Sequence, residues 1–277
     1  MITDDGVEAK FKEWLEKFRF YRDPPTEKKL REWFAYFNTI DTPVAAKVLD
    51  HVMVVSERDI QSGYKACLEG LEGWSSDPSK RQGDWYFVGF GKPGESGPAM
   101  LRPFRHANNL AYDRFDPLFH NLRDLPGLKL TARDHVVFVD DFSGSGRQVT
   151  RMWPRVTELV ASEATCHLIL TAITTTAQSA IAEKTELRVS ASILLGPEIA
   201  VFHEDNTSFT ADEKAVIERY CEKADPQNPR GFGKLGVLFV LSHTIPNNSL
   251  PILHVDKQDW RGLFPRYLKP GGDGGSV

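Results

Sequence analysis

Two neighbouring carboxylates, Asp140 and Asp141, lie between an apolar run and a loop of small residues. Residues 136–139 of the run are all apolar, a pattern that predicts a strand buried on both faces of a sheet. Since ligands of open α/β sheets bind at the carboxyl ends of the strands, we expect the two carboxylates to line a binding crevice. The Ser-Gly-Ser-Gly loop at 143–146 has little side-chain bulk, so its backbone N–H groups can surround an anion.

The residues after this loop have the apolar spacing of a helix, from Val149 to Val160. Pro154 must then lie near the first turn or kink the helix, because proline lacks an N–H donor. A strand, two carboxylates, a small loop and a helix N-terminus together suit a phosphate joined to a diol or a metal ion. The alternative interpretation is a buried strand followed by an ordinary acidic turn.

Residues 136–148 resemble the phosphoribosyl-diphosphate signature of the type I phosphoribosyltransferases, in which four apolar residues, two acids and two further apolar residues precede a small loop. The resemblance implies that Asp140 and Asp141 are the catalytic carboxylates, which bind the ribose hydroxyls and, indirectly, Mg²⁺. It also implies a binding site for the 5′-phosphate, formed by Ser143, Gly144, Ser145, Gly146, Arg147 and Gln148. Elementary chemistry agrees, because carboxylates suit a diol or Mg²⁺ and a helix N-terminus favours a dianion.

The signature departs from the family pattern at three positions. Ser143 is polar where the family has an apolar residue, and Gln148 replaces the usual threonine or serine. Gly144 stands where several members have an acid that acts as a general base. Since a positioned acid or base contributes about 10²–10⁴-fold in rate, its absence would slow transfer to a nucleophile that must be deprotonated, while binding would be retained.

A second strand is predicted at 84–90, followed by a glycine-rich loop and a helix over about 99–110. Residues 89–94 match G-x-G-x-x-G, but Pro93 and Pro98 are expected to delay the helix, which argues against dinucleotide binding. In the phosphoribosyltransferases a loop after the first core strand contacts pyrophosphate. The candidates at that position here are Lys92, Ser96, Arg102 and Arg105. The alternative, to which we give equal weight, is a glycine-rich connection with solvated basic side chains.

Three further blocks extend the resemblance over about residues 10–266. They are the segments 94–108, 231–253 and 260–266, the last of which reads Trp-Arg-Gly-Leu-Phe-Pro-Arg. As a set they resemble the phosphoribosyltransferase-like effectors of bacterial conflict systems, which are encoded beside retron reverse transcriptases or ubiquitin-like modification genes. The resemblance implies a role in anti-phage defence and a protein partner encoded in the same locus.

The carboxyl-terminal part contains candidates for a cap over the pocket, namely His243, Asn247 and Asn248. Asparagine side chains can approach a base or a ribose, and histidine can exchange a proton near neutral pH. The alternatives are that Pro246 and the two asparagines form an ordinary turn, and that the histidine is a packed or hydrogen-bonded residue at a strand end.

The composition excludes several function classes. Of 277 residues, 41% are hydrophobic and 26% are charged, which is typical of a globular protein, and the net charge of −4 gives no basis for general nucleic-acid binding. Cys67, Cys166 and Cys221 form no CxxC pair, which indicates a reducing compartment rather than disulfides or a thiolate zinc site. Neither a signal peptide nor an apolar run of about 20 residues is evident, so we expect a cytoplasmic protein without membrane contact.

Apolar residues at helical spacing predict helices along 8–76, which we expect to pack as a helix–helix core rather than as a surface for a partner. The stretch 110–134 is irregular and corresponds in position to the family's mobile catalytic loop. Strands and helices then alternate, which indicates a parallel sheet.

The predicted fold class is therefore α/β, a type I phosphoribosyltransferase-like, mostly parallel sheet flanked by helices, with an N-terminal helical region and a C-terminal cap. The predicted segments are an N-terminal helical region at 1–80, a phosphoribosyltransferase-like domain at 84–266 and a disordered tail at 267–277.

These features predict a protein that binds phosphoribosyl diphosphate or a related nucleotide with Mg²⁺ and acts as a defence effector. With glycine at position 144, nucleotide cleavage is as consistent with the sequence as phosphoribosyl transfer. The alternatives are a sensor that binds the ligand without turnover and relays its presence to a partner, and a structural subunit of a defence complex that has kept the fold alone.

Overall fold

The computed structural model describes residues 5–92, 94–160 and 163–266. It forms two compact units, one comprising Met1–Glu57 with Pro197–Val277 and the other comprising Arg58–Gly196. We call them the terminal unit and the sheet unit. The contacts thus divide the chain differently from the predicted segments, because the predicted boundary near 80 falls within the sheet unit. The predicted disordered tail, 267–277, lies outside the described residues.

Helices and strands are numbered in chain order. The helices are α1 (Asp5–Ala9), α2 (Phe11–Phe18), α3 (Glu27–Phe34), α4 (Thr42–His51), α5 (Glu57–Glu69), α6 (Ser96–Ala107), α7 (Arg147–Thr157), α8 (Thr175–Lys184), α9 (Ala211–Ala224) and α10 (Pro251–His254). The strands are β1 (Met53–Val55), β2 (Trp85–Gly89), β3 (Phe119–His120), β4 (His135–Ser143), β5 (Thr165–Thr174), β6 (Arg188–Leu195), β7 (Phe239–Leu241), β8 (Asp256–Lys257) and β9 (Trp260–Arg261). None of the helices in the described residues is long and apolar enough to cross a membrane.

The sheet unit is built on five parallel strands in the order β3-β2-β4-β5-β6, with α6, α7 and α8 packed against them. The predicted mostly parallel sheet with flanking helices is confirmed. Residues 136–139 of β4 are fully buried, as their apolar run predicted. Strands β2 and β4 are neighbours in the sheet. The strand that follows β2 along the chain, β3, lies on one side of this pair, and the strand that follows β4, β5, lies on the other side. Connections that diverge at neighbouring strands open a crevice at their carboxyl ends, which is the usual ligand position in such sheets.

Prolines correct two details of the helix predictions. Helix α6 begins at Ser96, so Pro98 lies in its first turn, where a missing N–H removes no intrahelical bond. The expectation that the prolines delay this helix was therefore wrong. In α7, Pro154 lies in the helix interior rather than near the first turn, and the helix ends at Thr157, earlier than its apolar spacing predicts.

The terminal unit buries the aromatic residues of the amino-terminal helices. Its core joins the predicted stripes to residues near the carboxyl terminus, and includes Phe11, Trp14, Phe18, Leu30, Trp33, Phe34, Phe37, Trp260 and Phe264. The indole N–H groups of Trp33 and Trp260 both donate to the carbonyl of Ile252, at 2.7 and 3.1 Å. The helix–helix core interpretation is therefore confirmed for these stripes, and the same core includes the carboxyl-terminal aromatic residues, which we did not predict.

A stack of three rings covers the amino ends of the central strands in the sheet unit. The rings of Trp85 and His135 lie 4.1 Å apart, and Nδ1 of His135 is 3.3 Å from Nε2 of His167. Burial, together with the neighbouring His135 and Arg188, lowers the pKa of His167 to about 4, because each of them disfavours a positive charge on the ring. The folded protein therefore holds His167 in its neutral form.

This stack predicts a loss of stability in mild acid. An unfolded His167 binds its proton near pH 6.5 and the folded one only near pH 4, so stability present above pH 6.5 falls as the pH is lowered toward 4. The full loss is about 3 kcal/mol. We expect His167→Gln to flatten the slope of unfolding free energy against pH across this window in urea titrations. His106→Gln, on the exposed surface of α6, is the control; equal slopes for the two variants would contradict the assignment.

Candidate functional site

The two predicted catalytic carboxylates lie in the last part of β4, which is the central strand of the sheet. Asp140 is 3% exposed and Asp141 is 5% exposed. Both are in the strand itself rather than in the loop after it, so the sheet fixes their backbone through the pairing of β4 with β5. The alternative interpretation placed an ordinary acidic turn after the strand, whereas both carboxylates belong to the strand.

Asp140 is held from two sides within the sheet unit. Its Oδ1 accepts hydrogen bonds from the hydroxyl of Ser96, at 2.6 Å, and from the backbone N–H of Asp141, at 2.9 Å. Its backbone carbonyl accepts a hydrogen bond of 2.9 Å from the buried hydroxyl of Tyr64. Ser96 is the first residue of α6 and follows β2, so this contact joins the loop after β2 to the end of β4. Asp140 is therefore contacted by α6 as well as by α5.

The pKa of Asp140 is raised well above its ordinary value, first by burial and second by the negative charge of Asp141. The hydroxyl of Ser96 and the N–H of Asp141 oppose this rise, because they donate to the ionised carboxylate. Two acids held this close in a buried strand cost folding free energy when both are charged. A bound diol or cation would offset that cost, which is what the site can do chemically.

The predicted phosphate loop follows directly. Ser143 ends β4, residues 144–146 form a bend, and α7 begins at Arg147, so the loop ends at a helix N-terminus. Gly144 and Gly146 are buried, and Arg147 and Gln148 are exposed in the first turn of α7. No described residue accepts a hydrogen bond from the backbone N–H groups of residues 144–146. Three consecutive N–H donors beside the positive end of a helix dipole suit a phosphate.

Two contacts with the β5–α8 corner fix the shape of this loop. The hydroxyl of Thr174 donates to the carbonyl of Gly144 and also accepts from the N–H of Ala177, as the N-cap of α8. Gly146 has φ +70°, and a Cβ at this position would meet the Ala177 carbonyl at 3.1 Å. Only glycine adopts this backbone without strain. The loop is thus positioned by the fold and does not depend on a ligand for its shape.

The pyrophosphate candidates are placed differently from one another. The hydroxyl of Ser96 contacts Asp140. Lys92 is exposed in the preceding loop, and its backbone N–H donates to the carboxylate of Glu95 at 2.8 Å. Arg105 lies nine residues after Ser96, on the opposite face of α6, and its guanidinium is 2.5 Å from the carboxylate of Asp116. The guanidinium of Arg105 is thus engaged by a protein carboxylate, and its role toward pyrophosphate stays a prediction. Arg102 is exposed further along the same helix.

The three cap candidates belong to the terminal unit. Asn248 is buried, and its side-chain amide donates to the carbonyl of Phe232 at 2.8 Å, while the carbonyl of Asn247 accepts from the N–H of Phe232. These bonds brace the loop that precedes β7 and support the turn interpretation for both asparagines. Asn247 is exposed and His243 is half-buried at the end of β7, and a role for either toward a ligand stays a prediction.

Asp140 and Asp141 fit Mg²⁺ as hard oxygen ligands. Burial and the charge of Asp141 raise the pKa of Asp140, and a bound cation would favour its ionised form. In the described part of the chain no group of three or more His, Cys, Asp or Glu side chains is arranged to hold a metal ion. Two carboxylates supply fewer oxygens than the roughly six that Mg²⁺ takes. The remaining ligands would have to come from substrate oxygens and water.

The contact between Ser96 and Asp140 leads to a testable prediction. Ser96→Ala removes a donor to the Asp140 carboxylate, so we expect the pKa of Asp140 to rise further. We also expect the affinity of the protein for phosphoribosyl diphosphate to fall about tenfold. Titration of the Asp140 carboxyl carbon by NMR measures the first effect. Ser79→Ala is the matched control, because it removes the equivalent hydroxyl bond to Asp77 at the surface. An unchanged Asp140 titration in the Ser96 variant would contradict the assignment.

Sequence reasoning missed two residues of the site. Tyr64 lies on α5, 76 positions before Asp140, and nothing local in its sequence indicates the contact. Thr174 could have been found, because a threonine between a predicted strand and a predicted helix is a typical N-cap.

Comparisons with known proteins gave a family match and a likeness to solved structures. The family model described as PRTase-CE matches residues 13–266. Among solved structures, the chain is similar to orotate phosphoribosyltransferase of Mycobacterium tuberculosis H37Rv, crystallised in complex with inorganic phosphate. The identity is 14% and the TM-score 0.30, over 69% of this chain and 96% of that chain, a likeness that carries no inference about substrate. None of the curated proteins matches the chain.

Proposed function

Because the chain belongs to the PRTase-CE family, we propose that it binds phosphoribosyl diphosphate or a related nucleotide at the end of β4. The family match confirms the resemblance to phosphoribosyltransferase-like proteins. The ligand and the role in anti-phage defence are parts of the proposal. The observation that carries it is that Asp140, Asp141 and the loop 144–146 follow one another at the carboxyl end of β4, where Ser96 contacts Asp140. The carboxylates bind the ribose hydroxyls, and the loop amides bind the 5′-phosphate.

The reaction that suits this site is chemistry at the anomeric carbon. In transfer, the bond from C1 to the pyrophosphate oxygen breaks, its electron pair leaves with pyrophosphate, and a lone pair of the acceptor forms the new bond. In nucleotide cleavage, water adds at C1 while the base leaves with its electron pair and takes up a proton. Both pass through an oxocarbenium-like state, which the two carboxylates can stabilise.

Mg²⁺ would be held by Asp140 and Asp141 together with oxygens of the substrate, and when bound it supplies positive charge to a leaving pyrophosphate. Lys92 is exposed in the loop after β2 and is the basic residue nearest in sequence to Ser96. These groups position the substrate and balance charge. None of them replaces the general base that is missing at Gly144.

A second function is favoured by one observation. Gly144 is buried and carries no acid, so a nucleophile that needs deprotonation would receive no help from this position. A sensor that binds the ligand without turnover needs only the carboxylates and the amide loop. Such a protein would signal to a partner encoded in the same defence locus that the ligand is bound.

The test is to incubate the purified chain with phosphoribosyl diphosphate, Mg²⁺ and a panel of nucleotides, and to identify products by mass spectrometry. Consumption of one compound, lost in the Asp140→Asn, Asp141→Asn variant, supports the enzyme. Binding in calorimetry without product supports the sensor. No binding of any compound would overturn both. The control variant is Glu204→Gln with Asp205→Asn, which removes an exposed adjacent acidic pair.

A further inference from the structure

A cavity of about 470 Å³ lies within the terminal unit, remote in sequence from the signature strand. It is formed by α3 and the β8–β9 hairpin, and its lining residues are Lys29, Asp256, Lys257, Gln258, Arg261 and Gly262. Three cations therefore face one carboxylate, although the chain as a whole has a net charge of −4. The volume lies within the roughly 300–1,000 Å³ range of small-molecule sites.

The cations of this cavity are incompletely neutralised by the protein. Asp256 lies opposite Arg261 in the hairpin register, yet within the described residues the two form no ion pair, and the guanidinium of Arg261 has no hydrogen-bond acceptor. The ammonium of Lys257 is 3.8 Å from Asp225, with its side chain 60% exposed. An anion bound between the three cations would attract all of them, and Arg261 has no carboxylate partner of its own in the described part of the chain.

Lys29 is fixed at the wall of the cavity. Its ammonium donates to the carbonyl of Leu263 at 3.1 Å. Burial lowers the pKa of Lys29, and the carboxylates of Asp256, Asp23 and Glu32 oppose that shift. The hairpin is fixed as well, because Trp260 stacks on Tyr36 at 4.5 Å and the hydroxyl of Tyr36 accepts from the N–H of Arg261. The cationic groups are thus carried by packed elements, which lowers the entropy that a ligand must offset.

We propose that this cavity binds a small phosphorylated ligand with two or more phosphate groups, such as a nucleoside polyphosphate. A planar guanidinium and ammonium groups on two separate elements match several phosphate oxygens at once. The amide of Gln258 adds donor and acceptor capacity for the rest of the molecule. This site is distinct from the one proposed at β4, because all its residues belong to the terminal unit.

The test measures binding of inorganic pyrophosphate and of ATP to the full chain by calorimetry, in the Asp140→Asn, Asp141→Asn background. We expect the double variant Lys257→Ala, Arg261→Ala to bind pyrophosphate and ATP about 100-fold more weakly, since each lost cation costs about tenfold in affinity. Lys12→Ala with Lys28→Ala, which removes two exposed cations of the same unit, is the control. Arg261→Gln alone is the second variant, should the double variant fail to fold.

Each result decides the proposal. A loss of binding that is confined to the cavity variants supports the proposal. Tighter binding of ATP than of pyrophosphate then indicates a nucleotide ligand, and equal binding indicates a simple polyphosphate. Unchanged binding in the cavity variants, an equal loss in the control or no binding at all would overturn it. Binding of a single-stranded oligonucleotide in preference to both probes would also overturn it, since it would assign the cations to a nucleic-acid surface.

Discussion

Replacing both signature carboxylates, Asp140→Asn with Asp141→Asn, is expected to abolish binding of phosphoribosyl diphosphate while leaving the protein folded. Each hydrogen bond from a ribose hydroxyl to a charged acceptor contributes about 1.5–3 kcal/mol, so losing both acceptors costs about 10²–10⁴-fold in affinity. Calorimetry in the presence of Mg²⁺ measures this loss. Affinity within threefold of the unmodified chain would contradict the assignment of the carboxylates.

The single substitution Asp140→Asn is expected to stabilise the folded protein at high pH. Asparagine at position 140 can still accept from Ser96 and from the N–H of residue 141, but it carries no buried charge. Because the folded pKa of Asp140 is raised, its stabilising protonation is present at low pH and lost as the pH rises through that pKa. The single variant Asp140→Asn should therefore melt at a higher temperature than the parent at pH 8, with the gain shrinking toward pH 3. A lower melting temperature at pH 8 would contradict this account.

Gly146→Ala is expected to have the second largest effect. The residue has φ +70°, where a side chain costs about 1–2 kcal/mol, and the new Cβ would press on the backbone of Ala177 and the side chain of Ala180, both at 3.1 Å. Relief requires the loop to move, which displaces the amides that would hold the phosphate. We expect a destabilisation of about 1–2 kcal/mol and at least tenfold weaker phosphate binding.

Gly127→Ala is the matched control for that substitution. It is an exposed glycine of the same unit, and a Cβ placed there would meet nothing within 4 Å. Urea unfolding and calorimetry of the two variants separate a general effect of replacing glycine from an effect on the loop. Equal binding by both variants would show that the loop does not hold the ligand.

Local signals made much of the fold predictable. The capping box at Thr210 and Glu213 forms both of its hydrogen bonds at the start of α9, and the hydroxyl of Thr26 caps α3. The four apolar residues before Asp140 are a buried central strand. Each of these features depends on residues within a few positions of one another, so the sequence contains the whole of its cause.

The rest depends on contacts between distant residues. Ser96 and Asp140 are 44 positions apart, and Tyr64 and Asp140 are 76 apart, so no spacing rule connects them. Trp33 donates to a carbonyl 219 positions away, which is why the joint core of the amino- and carboxyl-terminal segments was not predicted. Arg105 was a reasonable pyrophosphate candidate by type, but its partner Asp116 was not evident from the sequence.

The most direct test of the central claim is a crystal structure of the chain with phosphoribosyl diphosphate and Mg²⁺. We expect the 5′-phosphate within hydrogen-bond distance of the backbone N–H groups of residues 144–146, and the ribose hydroxyls on Asp140 and Asp141. Density for the ligand at any other place, with these amides and carboxylates facing only solvent, would contradict the account.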